Sequence, residues 1–138
     1  MKSSARIMVG VLVVALFVVL GAGTALAQDP VKVAPNNFKV LLENERVRVL
    51  DFHAKGGEKI PMHSHPAYIA YIISGSGKTK FTSADGKTTE REGMAGTATW
   101  HDAETHAAEI LGSGETHVLL VELKGSAHKM GPKKKMMM

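Results

Sequence analysis

Two histidines one residue apart, His63 and His65, are the residues in this chain whose type and spacing most clearly suggest chemistry. On an extended strand, residues i and i+2 point to the same face, so the two imidazoles would project together. Two neutral imidazoles placed in this way make half of a binding site for Zn, Mn, Fe, Ni or Cu. The chain has no cysteine, so any other ligand must be imidazole, carboxylate, phenolate or water.

The N-terminal residues predict export. Lys2 and Arg6 precede an apolar run, and small residues follow it up to Ala27. This order is typical of a cleavable signal peptide over residues 1–27, cut after Ala27, and indicates a periplasmic or secreted protein. The alternative is an uncleaved anchor, but the apolar run is shorter than the ~20 residues of a full span. After cleavage we expect no membrane contact.

The charge of the chain is concentrated at its ends. The formal net charge is +4. Without Lys2 and Arg6 it falls to +2, and without the four lysines after His128 it falls to −2. The body of the protein therefore has no basic excess of the kind that binds nucleic acid. We expect residues 125–138 to be a disordered basic tail.

Short apolar or alternating runs between turn residues predict an all-β protein. Residues 28–35 form a proline-containing lead-in, and about eight strands follow in a single domain over residues 36–124. Turns every eight to twelve residues are typical of a sandwich or barrel. Asp85-Gly86 indicates a hairpin, and the stretch from Lys55 to Pro61 reads as a turn.

The spacing around the histidine pair resembles the first motif of the cupin superfamily, G-x5-H-x-H-x3,4-E-x6-G. This chain supplies Gly57, His63, His65 and Gly75. The second motif, G-x5-P-x-G-x2-H-x3-N, is matched only in part. Gly96 is present and His106 comes one residue early, while Asp102, Glu104 and Ile110 replace the proline, the second glycine and the asparagine.

The resemblance covers residues 38–124 and is closest to small single-domain bacterial cupins of type 2. It implies a double-stranded β-helix, or jelly-roll barrel, in which His63, His65 and His106 converge on one divalent transition metal. It also implies a homodimer, since small cupins often pair through sheet edges. In this subgroup a histidine often stands where this chain has Tyr68.

The glutamate of the first motif is missing. Counting from His65 or from Gly75 leads to Ile69, Ala70 or Tyr68, and none of these is a carboxylate. A three-histidine site with an open position would remain, which suits catalysis because water or substrate can bind there. Losing a hard carboxylate favours Zn, Fe, Ni or Cu over Mn.

Other residues are candidates for a fourth ligand or for the pocket. Tyr68, Glu104 and His101 are candidate ligands or pocket residues. The phenol of Tyr68 is a poor ligand unless the metal lowers its pKa. The alternative for Glu104 is a turn residue in solvent, and the alternative for His101 is a residue at the rim. Tyr71, Trp100 and His117 are candidates for the pocket wall. Tyr71 is expected inside because it shares the parity of the histidine pair, whereas His117 is either a pocket residue or a core histidine.

Two functions of different classes remain open. The first is an exported metalloenzyme of oxygenase or isomerase type, acting on a small molecule at the open metal position. The second is a non-catalytic cupin that binds a small ligand in a barrel with a degenerate metal site. Retention of three histidines favours the first function, and loss of the glutamate favours the second.

Overall fold

The computed structural model describes residues 28–75 and 78–125. The predicted signal peptide and nearly all of the predicted tail lie outside these ranges. Within them the chain forms one short helix, α1 (Pro30–Val33), which is followed by nine β-strands. No helix in the described ranges is long and apolar enough to cross a membrane.

The strands make two facing sheets, and the predicted all-β jelly roll is confirmed. The strands are β1 (Phe38–Glu43), β2 (Val47–Lys55), β3 (Lys59–His65), β4 (Tyr68–Ser74), β5 (Lys78–Ser83), β6 (Thr88–Glu92), β7 (Ala98–His101), β8 (Glu104–Ile110) and β9 (Glu115–Leu123). One sheet has the order β1-β2-β9-β4-β7, and the other has the order β3-β8-β5-β6. Every pairing is antiparallel.

The core lies between the two sheets. Alternate residues of β2 and β9 point inward, as the two-residue period of a strand requires, and Leu50, Phe52 and Leu120 are buried there. The alternation of residues 46–49 was seen in the sequence, but it did not reveal which face is inside. Arg48 shares the inward parity of Leu50.

Strand β3 is the element in which the sequence prediction differs most from the structure. The stretch predicted as a turn already enters this strand at Lys59. Pro61 lacks an N–H, and it is tolerated because β3 lies at the sheet edge, where β8 is its one partner among the described strands. The register shifts between Ile60 and His63, and this bulge lets both side chains be buried although their positions differ in parity.

The lead-in is part of the packed structure. Asp29 caps α1 by accepting a hydrogen bond from the backbone N–H of Val31 at 2.9 Å. Pro30 and Ala34 are buried, and the backbone N–H of Ser64 on β3 donates to the carbonyl of Gln28 at 2.8 Å. The first described residues are thereby joined to the strand that carries the histidine pair.

Two glycines with the same φ differ in how closely other atoms approach them, and this difference can be tested by substitution. Gly75 and Gly86 both have φ +86°. A Cβ on Gly75 would lie 2.5 Å from the carbonyl oxygen of Glu115, whereas a Cβ on Gly86 would meet no atom within 4 Å. Gly86→Ala should cost about 1–2 kcal/mol of unfolding free energy from the left-handed backbone alone. Gly75→Ala should cost about 1–3 kcal/mol more.

Urea unfolding of the two variants and the unsubstituted chain measures the difference. Equal losses in the two variants would contradict the close approach between the end of β4 and the start of β9.

Candidate metal centre

Three histidines from two adjacent strands meet inside the barrel. His63 and His106 are direct cross-strand partners on β3 and β8, and His65 lies two residues after His63 on the same face. All three are buried. One ligand nitrogen from each lies within 4.8 Å of the others. The predicted triad is therefore brought together on one inner surface.

Hydrogen bonds at the ring nitrogens select the tautomers of His63 and His65. Nδ1 of His63 lies 2.7 Å from the carbonyl oxygen of Pro61, which can only accept, so Nδ1 carries the proton. Nδ1 of His65 lies 2.6 Å from a carboxylate oxygen of Glu122 and donates in the same way. Both rings therefore keep a free lone pair on Nε2, the arrangement found in ligands supported by outer-shell acceptors.

His106 has a polar atom without a partner. Its Nδ1 lies 3.3 Å from Oε1 of Glu104 but is not aligned for a hydrogen bond. Among the described residues, it is the buried side-chain nitrogen or oxygen that lacks a hydrogen-bond partner. An unpaired buried polar atom costs about 1–3 kcal/mol. Because Nδ1 faces the carboxylate of Glu104, Nε2 is the nitrogen that His106 would offer to a metal at the triad.

Burial keeps two of the three histidines neutral. It lowers the pKa of His63 and of His106 to about 4 each, against smaller opposing effects from hydrogen bonding and from nearby carboxylates. Near neutral pH both rings are uncharged and offer lone pairs. Three imidazole ligands suit Zn, Fe, Ni or Cu, so the residues present fit the expected metal.

Glu122, whose carboxylate accepts a hydrogen bond from Nδ1 of His65, was not identified from the sequence. Glu122 is 1% exposed and accepts hydrogen bonds from His65 and from Nε of Arg48 at 2.7 Å. Nη1 of Arg48 also binds Asp29 at 2.7 Å. Burial alone would raise the pKa of Glu122, but the two hydrogen bonds lower it overall. The available signal was an acidic residue within the apolar stretch 118–123 of β9.

Tyr68 and Glu104 form a polar pair beside His106. Tyr68 is buried, and its hydroxyl donates to Oε1 of Glu104 at 2.6 Å. Arg91 binds the same carboxylate at 3.2 Å. Burial would raise the pKa of Glu104, but hydrogen bonds from Arg91 and Tyr68 lower it to about 2. Burial and Glu104 raise the pKa of Tyr68, so its phenol keeps its proton and is a poor fourth ligand.

His101 lies in the pocket but does not join the triad. Its ring stacks on Tyr68 with centroids 4.6 Å apart. Arg91 donates to its Nδ1 at 3.1 Å, so its proton is on Nε2, which donates to Thr99 at 2.9 Å. Burial and the charge of Arg91 lower the pKa of His101. Both ring nitrogens are therefore occupied.

The three residues predicted for the pocket wall lie elsewhere. Tyr71 and Trp100 are 42% and 57% exposed, on the outer face of the five-stranded sheet. The prediction of Tyr71 as wall is wrong because Pro66 and Ala67 separate β3 from β4 and reset the parity, so Ala70 and Ile72 line the pocket instead. His117 also points outward, where it binds Asp51.

A cavity of about 190 Å³ opens beside the triad. Its wall is mainly apolar, and its large apolar side chains include Phe38, Phe52, Ile60, Phe81, Ile110 and Leu120. His101 and Arg91 lie at a polar end. Because the volume is below the roughly 300 Å³ of pockets that take drug-sized ligands, the space suits a smaller molecule.

Comparisons with known proteins bear on the fold. No family model matches the chain, and no curated protein matches it significantly. Among solved structures, a cupin domain from Bordetella pertussis superposes with a TM-score of 0.58 at 19% identity, covering 64% of this chain and 92% of its own.

Two further solved structures agree with that match. An uncharacterized conserved protein with a double-stranded β-helix domain from Klebsiella pneumoniae has a TM-score of 0.51 at 26% identity, covering 65% of this chain and 77% of its own. An RmlC-like cupin family protein from Methanocaldococcus jannaschii has a TM-score of 0.50 at 17% identity, covering 63% and 78%. With two facing antiparallel sheets around a histidine-lined interior, the chain has the double-stranded β-helix fold that these cupin structures share.

Proposed function

We propose that this protein is a metalloenzyme that holds one divalent transition metal on His63, His65 and His106 and acts on a small molecule in the adjoining cavity. The observation that carries the proposal is the convergence of three buried imidazoles, with ligand nitrogens within 4.8 Å of one another. When bound, the metal would act as a Lewis acid with an open position for a substrate oxygen or for dioxygen.

The chain's own residues prepare the ligand set. The carbonyl of Pro61 and the carboxylate of Glu122 hold His63 and His65 in the tautomer that offers Nε2. Arg48 holds Glu122 in turn. Because these supports are buried, the rings need little reorganisation on binding.

The cavity determines the class of substrate. Aromatic and aliphatic walls exclude water and favour an apolar body, while Arg91 and His101 mark a polar end. The Tyr68 hydroxyl keeps its proton and directs it to Glu104, so the Tyr68–Glu104 pair is a fixed dipole at the edge of the site. A small molecule with an apolar part and one oxygen-bearing group matches these walls.

A second candidate function is a non-catalytic cupin that binds the same kind of small ligand. Tyr68 favours it, because a protonated phenol stands where the family motif has a carboxylate. The presence or absence of metal-dependent ligand binding separates the two functions.

The proposed place of action is the periplasm or the exterior of the cell. Support comes from the charged start, the apolar run and the small residues that end at Ala27. These residues lie outside the described part of the structure.

Metal retention is the first test. We expect the full chain, purified without a histidine tag, to keep about one tightly held metal ion after dialysis, measured by elemental mass spectrometry. His106→Ala should lose this ion, because two imidazoles hold a metal more weakly than three. His101→Gln is the matched control, since it removes a histidine from the same cavity without touching the triad, and it should keep the ion.

Two results would contradict the metal centre. One is an ion that persists unchanged in His106→Ala. The other is a chain that takes up no Zn, Fe(II), Ni or Cu, while circular dichroism shows it to be folded.

Glu122→Gln tests the outer-shell support. The substitution keeps the shape of the side chain but removes the charge that accepts from His65 and Arg48. Loss of such support typically costs about 10–100-fold in metal affinity, and we expect that loss in competition with a chromophoric chelator. Glu109→Gln, which removes an outward-facing carboxylate from β8, is the control. If both variants bound metal with unchanged affinity, Glu122 would not support His65.

Filling the cavity tests ligand binding. A fragment screen by NMR on the zinc-loaded protein should give small ligands with an apolar body, and Ala108→Leu should abolish their binding because Ala108 lines the cavity. Ala107→Leu, on the opposite face of β8, should leave binding unchanged. If chelation of the zinc abolishes ligand binding, the result supports the metalloenzyme. If the ligands still bind after chelation, the result supports the non-catalytic binding function. Ligands that bind Ala108→Leu as they bind the unsubstituted chain would contradict the cavity as the site.

A further inference from the structure

A second group of metal-ligating side chains lies outside the barrel. Asp51, His53 and His117 offer ligand atoms that all lie within 4.8 Å of one another. They come from β2 and β9, in the middle of the five-stranded sheet. None of the three lines the interior cavity.

The strands place these residues rigidly on one face. Asp51 and His53 are two residues apart on β2, and His53 is the direct cross-strand partner of His117 on β9. Their neighbours Phe52, Thr116 and Val118 point the other way and line the cavity. The sheet therefore separates this group from the buried triad.

The ring nitrogens already converge on one carboxylate. Nε2 of His117 lies 2.5 Å from Oδ1 of Asp51, and Nε2 of His53 lies 3.2 Å from Oδ2. The two imidazole rings stack with centroids 3.8 Å apart and planes 21° apart. Ligand atoms around a tetrahedral Zn²⁺ are about 3.3 Å apart, given metal–ligand bonds of about 2.0–2.1 Å, so small side-chain rotations would close this group on an ion.

Glu115 adds a second carboxylate. Its Oε1 lies 3.1 Å from Nδ1 of His53. His53 thus faces a carboxylate at each ring nitrogen, and a neutral imidazole has only one N–H to donate. In the neutral ring one of these two contacts opposes a lone pair to an anion. A second proton would remove that conflict, and so would a cation bound at Nε2, which leaves the Nδ1–H to donate to Glu115.

The charge balance also favours a cation. Within residues 28–75 and 78–125, the ion-pair partners of Asp51 and Glu115 are histidines, with no lysine or arginine within 4.0 Å. With neutral imidazoles the group carries two negative charges, which a divalent ion would neutralise.

We propose that Asp51, His53 and His117 form a second site for a divalent transition metal on the outer face of the sheet, with Glu115 supporting His53 by accepting from its other ring nitrogen. Two imidazole nitrogens with carboxylate oxygens suit Zn²⁺, Cu²⁺ or Ni²⁺. The group is half-buried and open to solvent, so it binds more weakly than the interior triad and exchanges its ion more readily. It is independent of the proposed catalytic site.

Zinc stoichiometry tests the proposal. The full chain without a histidine tag is stripped with chelator and titrated with Zn²⁺ by calorimetry. His53→Gln/His117→Gln should bind one zinc equivalent fewer than the unsubstituted chain, and His128→Gln, a matched removal of a histidine outside the group, should bind the same number. His106→Ala should keep the outer equivalent, so failure of the interior site is distinguished from failure of this one.

Equal zinc binding by the unsubstituted chain and by His53→Gln/His117→Gln would overturn the proposal. NMR of the imidazole ring nitrogens supplies a readout that needs no variant. Adding Zn²⁺ to the unsubstituted chain should shift the resonances of His53 and His117, and resonances that stay in place at saturating zinc would also overturn it.

Discussion

The carboxylate of Glu122 is the constraint around which the interior is organised. A charge at 1% exposure inside an apolar barrel is tolerated only when its oxygens are paired. His65 satisfies one oxygen and Arg48 the other, while Asp29 neutralises the far side of Arg48. One chain of hydrogen bonds therefore joins the first described residues, the start of β2, the end of β9 and the histidine pair. The orientation of His65 depends on all of them.

The geometry of β3 is the second element on which the site depends. A proline on an edge strand, followed by a register shift, brings Ile60 and His63 to the same inner face. Ile60 then closes the apolar wall, and His63 uses the carbonyl of Pro61 to present its other nitrogen. A proline would weaken a central strand, but on this edge strand Pro61 helps to place His63, the first ligand of the triad.

Tyr68 shows how this chain departs from the family motif. The motif places a carboxylate near this position, whereas here a carboxylate approaches from β8 as Glu104 and is held by Tyr68 and Arg91. Negative charge remains near His106, but it lies in the outer shell and is balanced by a guanidinium. A site with three imidazole ligands and a balanced outer shell favours a borderline metal over a hard one.

Local patterns in the sequence were enough to predict the all-β class, the hairpin at Asp85-Gly86 and the shared face of His63 and His65. Each rests on interactions between residues close in the chain, namely strand period and turn chemistry. The family resemblance added His106, since its contact with His63 crosses two strands that are far apart in sequence. The sequence did not reveal which side of β2 faces inward, because Arg48 alternates with Val47 and Val49 and yet lies on the inward side.

The sequence by itself therefore determined the kind of barrel and which residue types could bind a metal. Only the tertiary structure decided which carboxylate supports His65, that Tyr71 and Trp100 face outward, and that His53 and His117 stack beside Asp51. The physical reason is that parity along a strand is lost at every turn and bulge. Which residues face each other across a sheet then depends on strand pairing between distant segments.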